Sequence, residues 1–512
     1  MISEKKRFAL IDVGSSSLTM KIAELSRGEA PRIIETVRGN LALGEDTYTH
    51  RRISDRNVDL CCEILQGFRL KLEEYRITDY RVVATSAVRE AENKVYVLMQ
   101  IRHKTGFEVE VLDNGIERYF HNVAISEAIP EFSDLIEEGV IILDISSGSV
   151  QVSAFRHSEC HFSHNLRLGV LRINEMMDRL RGRSRDYIDL MNEYVDAEIN
   201  DFKVVEPGGM TYPHLIALYP GSIFLHRLAG EEPDRPIIRR KSLQKIYQVV
   251  CRVSPDALNL DYQIPSDIAE LLLPATLIIR KYANYNDLKR IYLPQTDIGD
   301  GILTALAARA YHYTPNYDHR SDTVSLARHL ASRFRYDKGH TDFVEVMSLR
   351  VFDALKKRYG MSERDRLLLQ LAAILHDTGK FIHLNRHSER SFNIINFIEL
   401  IGLSEAERQR VAWIARLHSS SRLPSQTFLD EIGEQDMDDI IRPAAILRMV
   451  DALDASHRQK FISVKPKVKG ATLILRYETN DDVTLEEASL KGKGLLFETV
   501  FGLRPELVVK KR

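Results

Sequence analysis

The sequence predicts a duplicated α/β domain with a cleft between its halves, followed by an all-α region and a small α+β tail. Three observations carry this. A strand ending in Asp, a Gly/Ser turn and a second strand occur at residues 10–24 and again at residues 143–155. From about residue 318 the texture changes to long helical apolar stripes, and after residue 460 it changes again to short strands. A unit of strand, turn and strand cannot bury its own apolar face, so two copies imply two lobes packed around a shared groove.

In chain order, Phe8-Ala9-Leu10-Ile11-Asp12 is a short apolar run entering a tight turn, and residues 20–24 form its hairpin partner. Residues 58–75 have helical periodicity, with Leu60, Ile64, Leu65, Phe68 and Leu72 expected on one buried face. Residues 81–85 read as a strand, 93–106 as a helix, 109–112 as a strand and 117–128 as a helix. The second round begins with strands at 140–144 and 150–155, and residues 207–212 read as a loop. Helices are expected at 341–359, 362–376, 404–418 and 440–455. In the tail, 461–468, 471–477 and 482–485 read as strands and 486–501 as a helix. The expected domains are residues 1–128, 129–312, 313–460 and 461–512.

Composition narrows the function. With 44% hydrophobic and 28% charged residues the chain is not disordered. A net charge of −2 excludes a strongly basic nucleic-acid coat or a polybasic membrane binder, so neither a specific nucleic acid nor a membrane is an expected partner. Any cationic track must be local, and Arg239-Arg240-Lys241, Arg386 and Arg390 are the residues that could build one. No apolar run approaches the roughly 20 residues that span a bilayer. The four cysteines (Cys61, Cys62, Cys160 and Cys251) have no metal-site spacing and read as reduced thiols of a cytoplasmic protein.

The turns carry the chemistry. In Asp12-Val13-Gly14-Ser15-Ser16-Ser17 small residues let backbone N–H groups face a ligand, and hydroxyls add donors, an arrangement that binds phosphate oxygens. Alone, such a turn is ordinarily just a turn. Its repetition at Asp144-Ile145-Ser146-Ser147-Gly148-Ser149 makes a two-sided phosphate clamp the better reading. The carboxylates of Asp12 and Asp144 suit Mg²⁺. Arg89 follows a strand and could grip phosphate oxygens, or pair with Glu90 or Glu92. Glu117 could orient a water as general base, or simply complement a helix N-terminus.

These motifs, in this order, resemble the exopolyphosphatase / guanosine pentaphosphate phosphohydrolase (Ppx/GppA) family. The matching stretches are residues 12–18, 84–93, 111–123, 144–151, 168–175, 221–229 and 296–303, with the helical region and tail resembling the second half of the longer members. The resemblance implies a pair of ribonuclease-H-like (actin-like ATPase) domains, an all-α HD-like domain and an α+β tail. It implies hydrolysis of a terminal phosphoanhydride of polyphosphate or guanosine pentaphosphate, with Mg²⁺, in a homodimer. Carried over, Gly14, Ser15 and Ser17 match the first phosphate loop, and Gly148 and Ser149 the second. Arg89 matches a phosphate-gripping arginine, Glu117 the water-activating glutamate, and Asp144 the acid that helps hold the metal.

The chain departs from the family pattern in its second loop, where glycines are usual at Ser146 and Ser147 and a glutamate at Gln151. An amide accepts a hydrogen bond but cannot neutralise Mg²⁺, so turnover is expected to be weak or altered. Arg118 also stands where the family has alanine. Ser16 stands where the family usually has asparagine, and the departures at Ser222 and Asp300 are mild. One rival is therefore a phosphate-binding sensor with little turnover.

A second rival lies in the helical half. His340, His376-Asp377 and Asp451 form an ordered series of imidazoles and carboxylates that suits a second divalent metal, with His387 and His418 between and Lys380 one turn after the pair. The pattern looks like that of HD phosphohydrolases. A single core histidine usually has a structural role; four residues in this order point to a metal.

Overall fold

The computed structural model describes residues 5–180, 187–205, 211–231, 236–285, 288 and 290–510. The chain divides into two compact units, Met1–Asp322 and Thr323–Arg512.

The first unit holds two sheets. The first comprises β1 (Lys6–Val13), β2 (Ser17–Leu25), β3 (Arg32–Asn40), β4 (Tyr80–Ala84) and β5 (Val109–Val111) in the order β3-β2-β1-β4-β5. β1 and β2 form an antiparallel hairpin, and β4 joins the other side of β1 in parallel. The second sheet comprises β6 (Val140–Ile145), β7 (Val150–Arg156), β8 (Glu159–Leu166), β9 (His214–Leu218), β10 (Ile237–Ile238) and β11 (Arg290–Tyr292) in the order β10-β11-β9-β6-β7-β8. Here β6 and β7 form the hairpin and β9 lies parallel on the other side of β6. The duplication thus extends beyond the turn to the whole strand order. Even the turn bonds repeat: Gly14 N–H donates to Ser17 O at 3.1 Å, and Ser146 N–H to Ser149 O at 3.0 Å.

Separate apolar cores explain why two sheets form. One joins Ile11, Met20 and Val82 to Leu65, Phe68 and Leu72 of the helix Asp55–Glu74. Leu60, expected on that face, is instead 38% exposed, and Val58, Cys61 and Cys62 are buried in its place. The second core gathers Leu143, Val152 and Leu215. A third cluster corrects the expected organisation. The helix Ile298–Tyr311 lies in the stretch assigned to the second half, yet Ile298, Ile302 and Leu303 pack with Leu10, Ala23 and Val83 of the first sheet. The expected break after residue 312 also falls inside this unit, because Tyr313 and Asn316 donate to Glu127 at 2.6 and 2.7 Å. Of the segment read as a loop, residues 207–210 lie outside the described residues.

The second unit contains the helices Lys338–Tyr359, Glu363–Leu375, His387–Phe397, Glu405–Arg416 and Met437–Asp451. Ser362 and Ser404 cap two of them with reciprocal capping boxes. The tail belongs to this unit. β12 (Phe461–Lys469), β13 (Thr472–Thr479) and β14 (Arg504–Val509) make a three-stranded sheet, β12 antiparallel and β14 parallel to β13. The expected strand at 482–485 is absent, because Asp482 accepts from the N–H and hydroxyl of Thr484 and opens the helix Thr484–Lys493. The helix expected over 486–501 is broken at Gly494, and Leu495–Phe501 forms a second piece. Among the described residues no helix is long and apolar enough to cross a membrane.

Candidate functional site

A cavity of about 340 Å³ opens between the two hairpin turns. Asp12 stands at its first edge because β1 ends there, and Asp144 at its second because β6 ends there. Gly14, Ser15 and Ser17 line it on one side and Ser146 and Ser147 on the other. Gly148 and Ser149, expected to line the second side, do not. Gly148 is packed so closely under Tyr48 that a Cβ would come within 2.5 Å of the ring, and Ser149 N–H turns back to Ser146 Oγ at 3.2 Å. The serine at 146 therefore serves the turn as an internal brace, donating in turn to Ser149 O at 3.0 Å.

Glu117 comes from the first turn of the helix Asn114–Ala128 and faces the cavity while only 5% exposed. Arg89, in the short helix Ser86–Glu90, donates to Glu117 Oε2 at 2.7 Å and to Leu112 O at 2.6 Å. It is absent from the cavity wall, so its guanidinium holds the glutamate instead of lying open to a phosphate. Gln151 faces Asp144 in the β6–β7 register and accepts from Arg118 Nε at 2.9 Å. Arg118 is fully buried and also bonds Ser163. The two departures from the family pattern thus answer each other: the amide at 151 is matched to the arginine at 118.

Two lining residues carried no signal of their own in the sequence. His121 lies one helical turn after Glu117, and its Nδ1 contacts Asp144 Oδ2. Burial alone would lower its pKa, but Asp144, with Glu117 and Asp12 nearby, lifts it to about 9. Lys21 projects from β2 to Asp297 at 2.7 Å and Asp300 at 2.5 Å. The i, i+4 spacing from Glu117 to His121 was the available clue. For Lys21 it was a charge set among the apolar residues Met20, Ile22 and Ala23 of β2.

Asp12 is the carboxylate most in need of a partner. Its Oδ1 is shielded from solvent and has no hydrogen bond. Burial, then the Asp297 and Glu117 carboxylates, raise its pKa to about 7. A hard cation would relieve both conditions, so Asp12 fits Mg²⁺; Asp144 is already engaged by His121.

In the second unit, helix ends converge on a separate buried cluster. His340, His376, Asp377, His418 and Asp451 are all buried, and His387 is half-buried beside them. His340 Nε2 lies 3.2 Å from Asp451 Oδ1, and His376 Nε2 lies 3.5 Å from Asp377 Oδ2. Burial pushes His376 down to about 3, keeping it neutral, whereas Asp451 and Asp454 overcome burial at His340 and raise it to about 9. Lys380 donates to Asp377 Oδ2 at 2.5 Å, and Lys493 contacts Asp451. His383 is exposed and precedes the helix that starts at His387, so it shares no face with it. Arg239, Arg240 and Lys241 do not line the cleft cavity.

The model of the Ppx/GppA phosphatase family matches residues 5–289, and that of Ppx/GppA phosphatase domain III matches residues 320–496. The chain belongs to the Ppx/GppA phosphatase family. Exopolyphosphatase 1 of Mycobacterium tuberculosis (strain ATCC 25618 / H37Rv) is 28% identical over 234 residues, which is 44% of this chain and 65% of the relative. Exopolyphosphatase 1 of Mycobacterium leprae is 27% identical over 200 residues, 39% of this chain and 57% of the relative. The chain therefore spans under two thirds of these curated relatives. Among solved structures, an exopolyphosphatase from Cytophaga hutchinsonii matches with a TM-score of 0.52 at 17% identity, over 60% of this chain and 100% of that one. A Ppx/GppA family member from Aquifex aeolicus matches with a TM-score of 0.50 at 17% identity, over 60% of this chain and 98% of that one. At such identities the Ppx/GppA likeness supports the fold, a pair of ribonuclease-H-like, actin-like lobes.

Proposed function

We propose that the cleft hydrolyses the terminal phosphoanhydride of inorganic polyphosphate, with guanosine pentaphosphate a second substrate of the same chemistry. The observation that carries the reading is Glu117: a nearly buried carboxylate on the cavity wall, fixed by Arg89, between two Asp-ended turns. Glu117 takes a proton from water as the water oxygen attacks the terminal phosphorus. The bridging P–O bond breaks, releasing orthophosphate and a chain one phosphate shorter. Backbone N–H groups and hydroxyls of the 14–17 turn hold phosphate oxygens, with Ser146 and Ser147 opposite. Mg²⁺, held by Asp12, would neutralise charge on the phosphoryl oxygens. Arg89 positions Glu117. The same reading includes a homodimer, which light scattering would register as twice the chain mass.

The test is phosphate release from long-chain polyphosphate with Mg²⁺. Glu117→Gln should lower it by about 100-fold or more. Unchanged release would remove Glu117 from the mechanism.

A second reading, metal-dependent phosphohydrolysis in the helical unit, is favoured by one observation: His340, His376 and Asp451 present ligand atoms close enough together to share an ion. Release that survives Glu117→Gln but is lost in Asp377→Asn would support it.

A further inference from the structure

Four histidines of the helical unit share one arrangement. Nδ1 of His376, His387 and His418 bonds a carbonyl, that of Ala373 at 2.7 Å, Leu384 at 3.1 Å and Ala415 at 2.6 Å. Nδ1 of His340 bonds Asp454 Oδ2 at 2.9 Å. A carbonyl only accepts, so Nδ1 carries the proton and Nε2 is left with its lone pair. Holding the far nitrogen in this way is how proteins orient metal-binding imidazoles.

The Nε2 atoms then face one another in two pairs. His340 and His376 are 3.3 Å apart, and His387 and His418 are 3.1 Å apart. Two lone pairs at that distance repel unless something positive lies between them. A proton on His340 can answer Asp451 on its own side, but it does not reach the His387–His418 gap.

Asp377 stands between the pairs, and its side chain is 3% exposed. Oδ2 lies 3.8 Å from His340 Nε2 and 3.5 Å from His376 Nε2. Oδ1 lies 3.5 Å from His387 Nε2 and 3.6 Å from His418 Nε2, and it has no hydrogen-bond partner. Asp451 Oδ1 completes the first group, 3.2 Å from His340 Nε2 and 3.9 Å from His376 Nε2. Donors about 2.1 Å from a four-coordinate ion stand roughly 3.4 Å from each other. Both groups have that spacing.

We propose that the helical unit holds two divalent metal ions bridged by Asp377, one among His340, His376, Asp377 Oδ2 and Asp451, the other among Asp377 Oδ1, His387 and His418. This rests on the metal-holding reading of the helical cluster and is independent of the cleft. Imidazole with carboxylate suits zinc, iron or manganese better than magnesium. The second ion has three protein ligands and so keeps a place for water or substrate. With two ions, Lys493 on the outer oxygen of Asp451 and Lys380 on Asp377 Oδ2, positive charge outweighs negative. The ligand class that balances it is a phosphate ester or anhydride.

The experiment is a cobalt titration of the full chain after chelation, counting bound ions by equilibrium dialysis. Differences between variants remove any contribution from the cleft. His387→Gln/His418→Gln should lower the count by one, His340→Gln/His376→Gln by one, and Asp377→Asn by up to two. A loss of one in the His340/His376 variant with none in the His387/His418 variant would leave a single ion and overturn the bridge. No loss in any variant would overturn the metal-holding reading as well. The wild-type chain loaded with Mn²⁺ gives a second measurement that does not depend on a variant folding. A spin-coupled pair is expected in its electron paramagnetic resonance spectrum, and a spectrum of isolated ions alone would sink the proposal.

Discussion

Arg89 separates two ways of reading a cation beside the cleft. A guanidinium that grips phosphate sets substrate affinity, whereas one that aims Glu117 sets the rate. Because Arg89 bonds Glu117 and Leu112 O, Arg89→Ala should lower kcat for polyphosphate by about 10-fold or more, the loss expected when a general base is left unaligned, with KM nearly unchanged. A rise in KM with kcat preserved would return Arg89 to phosphate binding. Arg118 is a different case, since it is buried with its Nε on Gln151. Removing it strands that amide, and Arg118→Ala should cost about 2–3 kcal/mol, measured by urea unfolding. Gln151→Glu should not create a free metal ligand, because Arg118 would pair with the new carboxylate; Mg²⁺ dependence of phosphate release should stay as in wild type. Individual roles were only partly legible in the sequence. The two turn aspartates stood out by their place at strand ends, and Glu117 only through the family resemblance. The service of Arg89 to Glu117 did not, since it depends on contact between segments 28 residues apart.

Secondary elements were legible where an apolar stripe was long and capped, as in the helices opened by Ser362 and Ser404. They were illegible where tertiary pairing made the element. β3 alternates poorly and is held by its register with β2, and β14 exists because it lies parallel to β13. Two elements offer direct tests. The helices Ile298–Tyr311 and Asn114–Ala128 approach so closely at Gly301 that a Cβ would stand 1.9 Å from Phe120 O. Gly301→Ala should therefore destabilise the first unit by about 1–3 kcal/mol or more, seen as a lower thermal midpoint; an unchanged midpoint would refute that close approach. The helix Glu405–Arg416 is tied by Glu407, which takes Arg364 Nε and Nη2 at 2.6 Å each and closes the Ser404 box. Burial would raise the Glu407 pKa, but Arg364 and the Ser404 N–H more than offset it and hold it below 4.5. A lowered carboxylate pKa adds stability above its ordinary value and loses it as pH falls through the folded-state value. Glu407→Gln should cost about 1–2 kcal/mol at pH 7. The gap between variant and wild type should close in acid below about pH 4.5; a gap independent of pH would count against the ion pair.

At the scale of the molecule, the duplication was legible because two Asp-turn hairpins repeat in sequence. The return of the helix Ile298–Tyr311 to the first sheet was not, since no local pattern says which sheet an apolar helix will choose. Two compact units meeting at Asp322 and Thr323 should give two calorimetric transitions, and Gly301→Ala should move one of them alone. A single transition shifted as a whole would mean that the units unfold together. The cleft itself combines a backbone that nearly repeats with charges that do not. On the β6 side the Asp144 carboxylate is paired with the His121 imidazolium, while on the β1 side Asp297 and Asp300 share the ammonium of Lys21 and Asp12 keeps an unpaired oxygen, with both cations acting on it from a distance. The groove is thus an electrical dipole built on a pseudo-symmetric frame. A cation is drawn to the β1 pole, and on the reading proposed for the cleft an elongated polyanion would enter with its metal-bearing end leading toward Asp12.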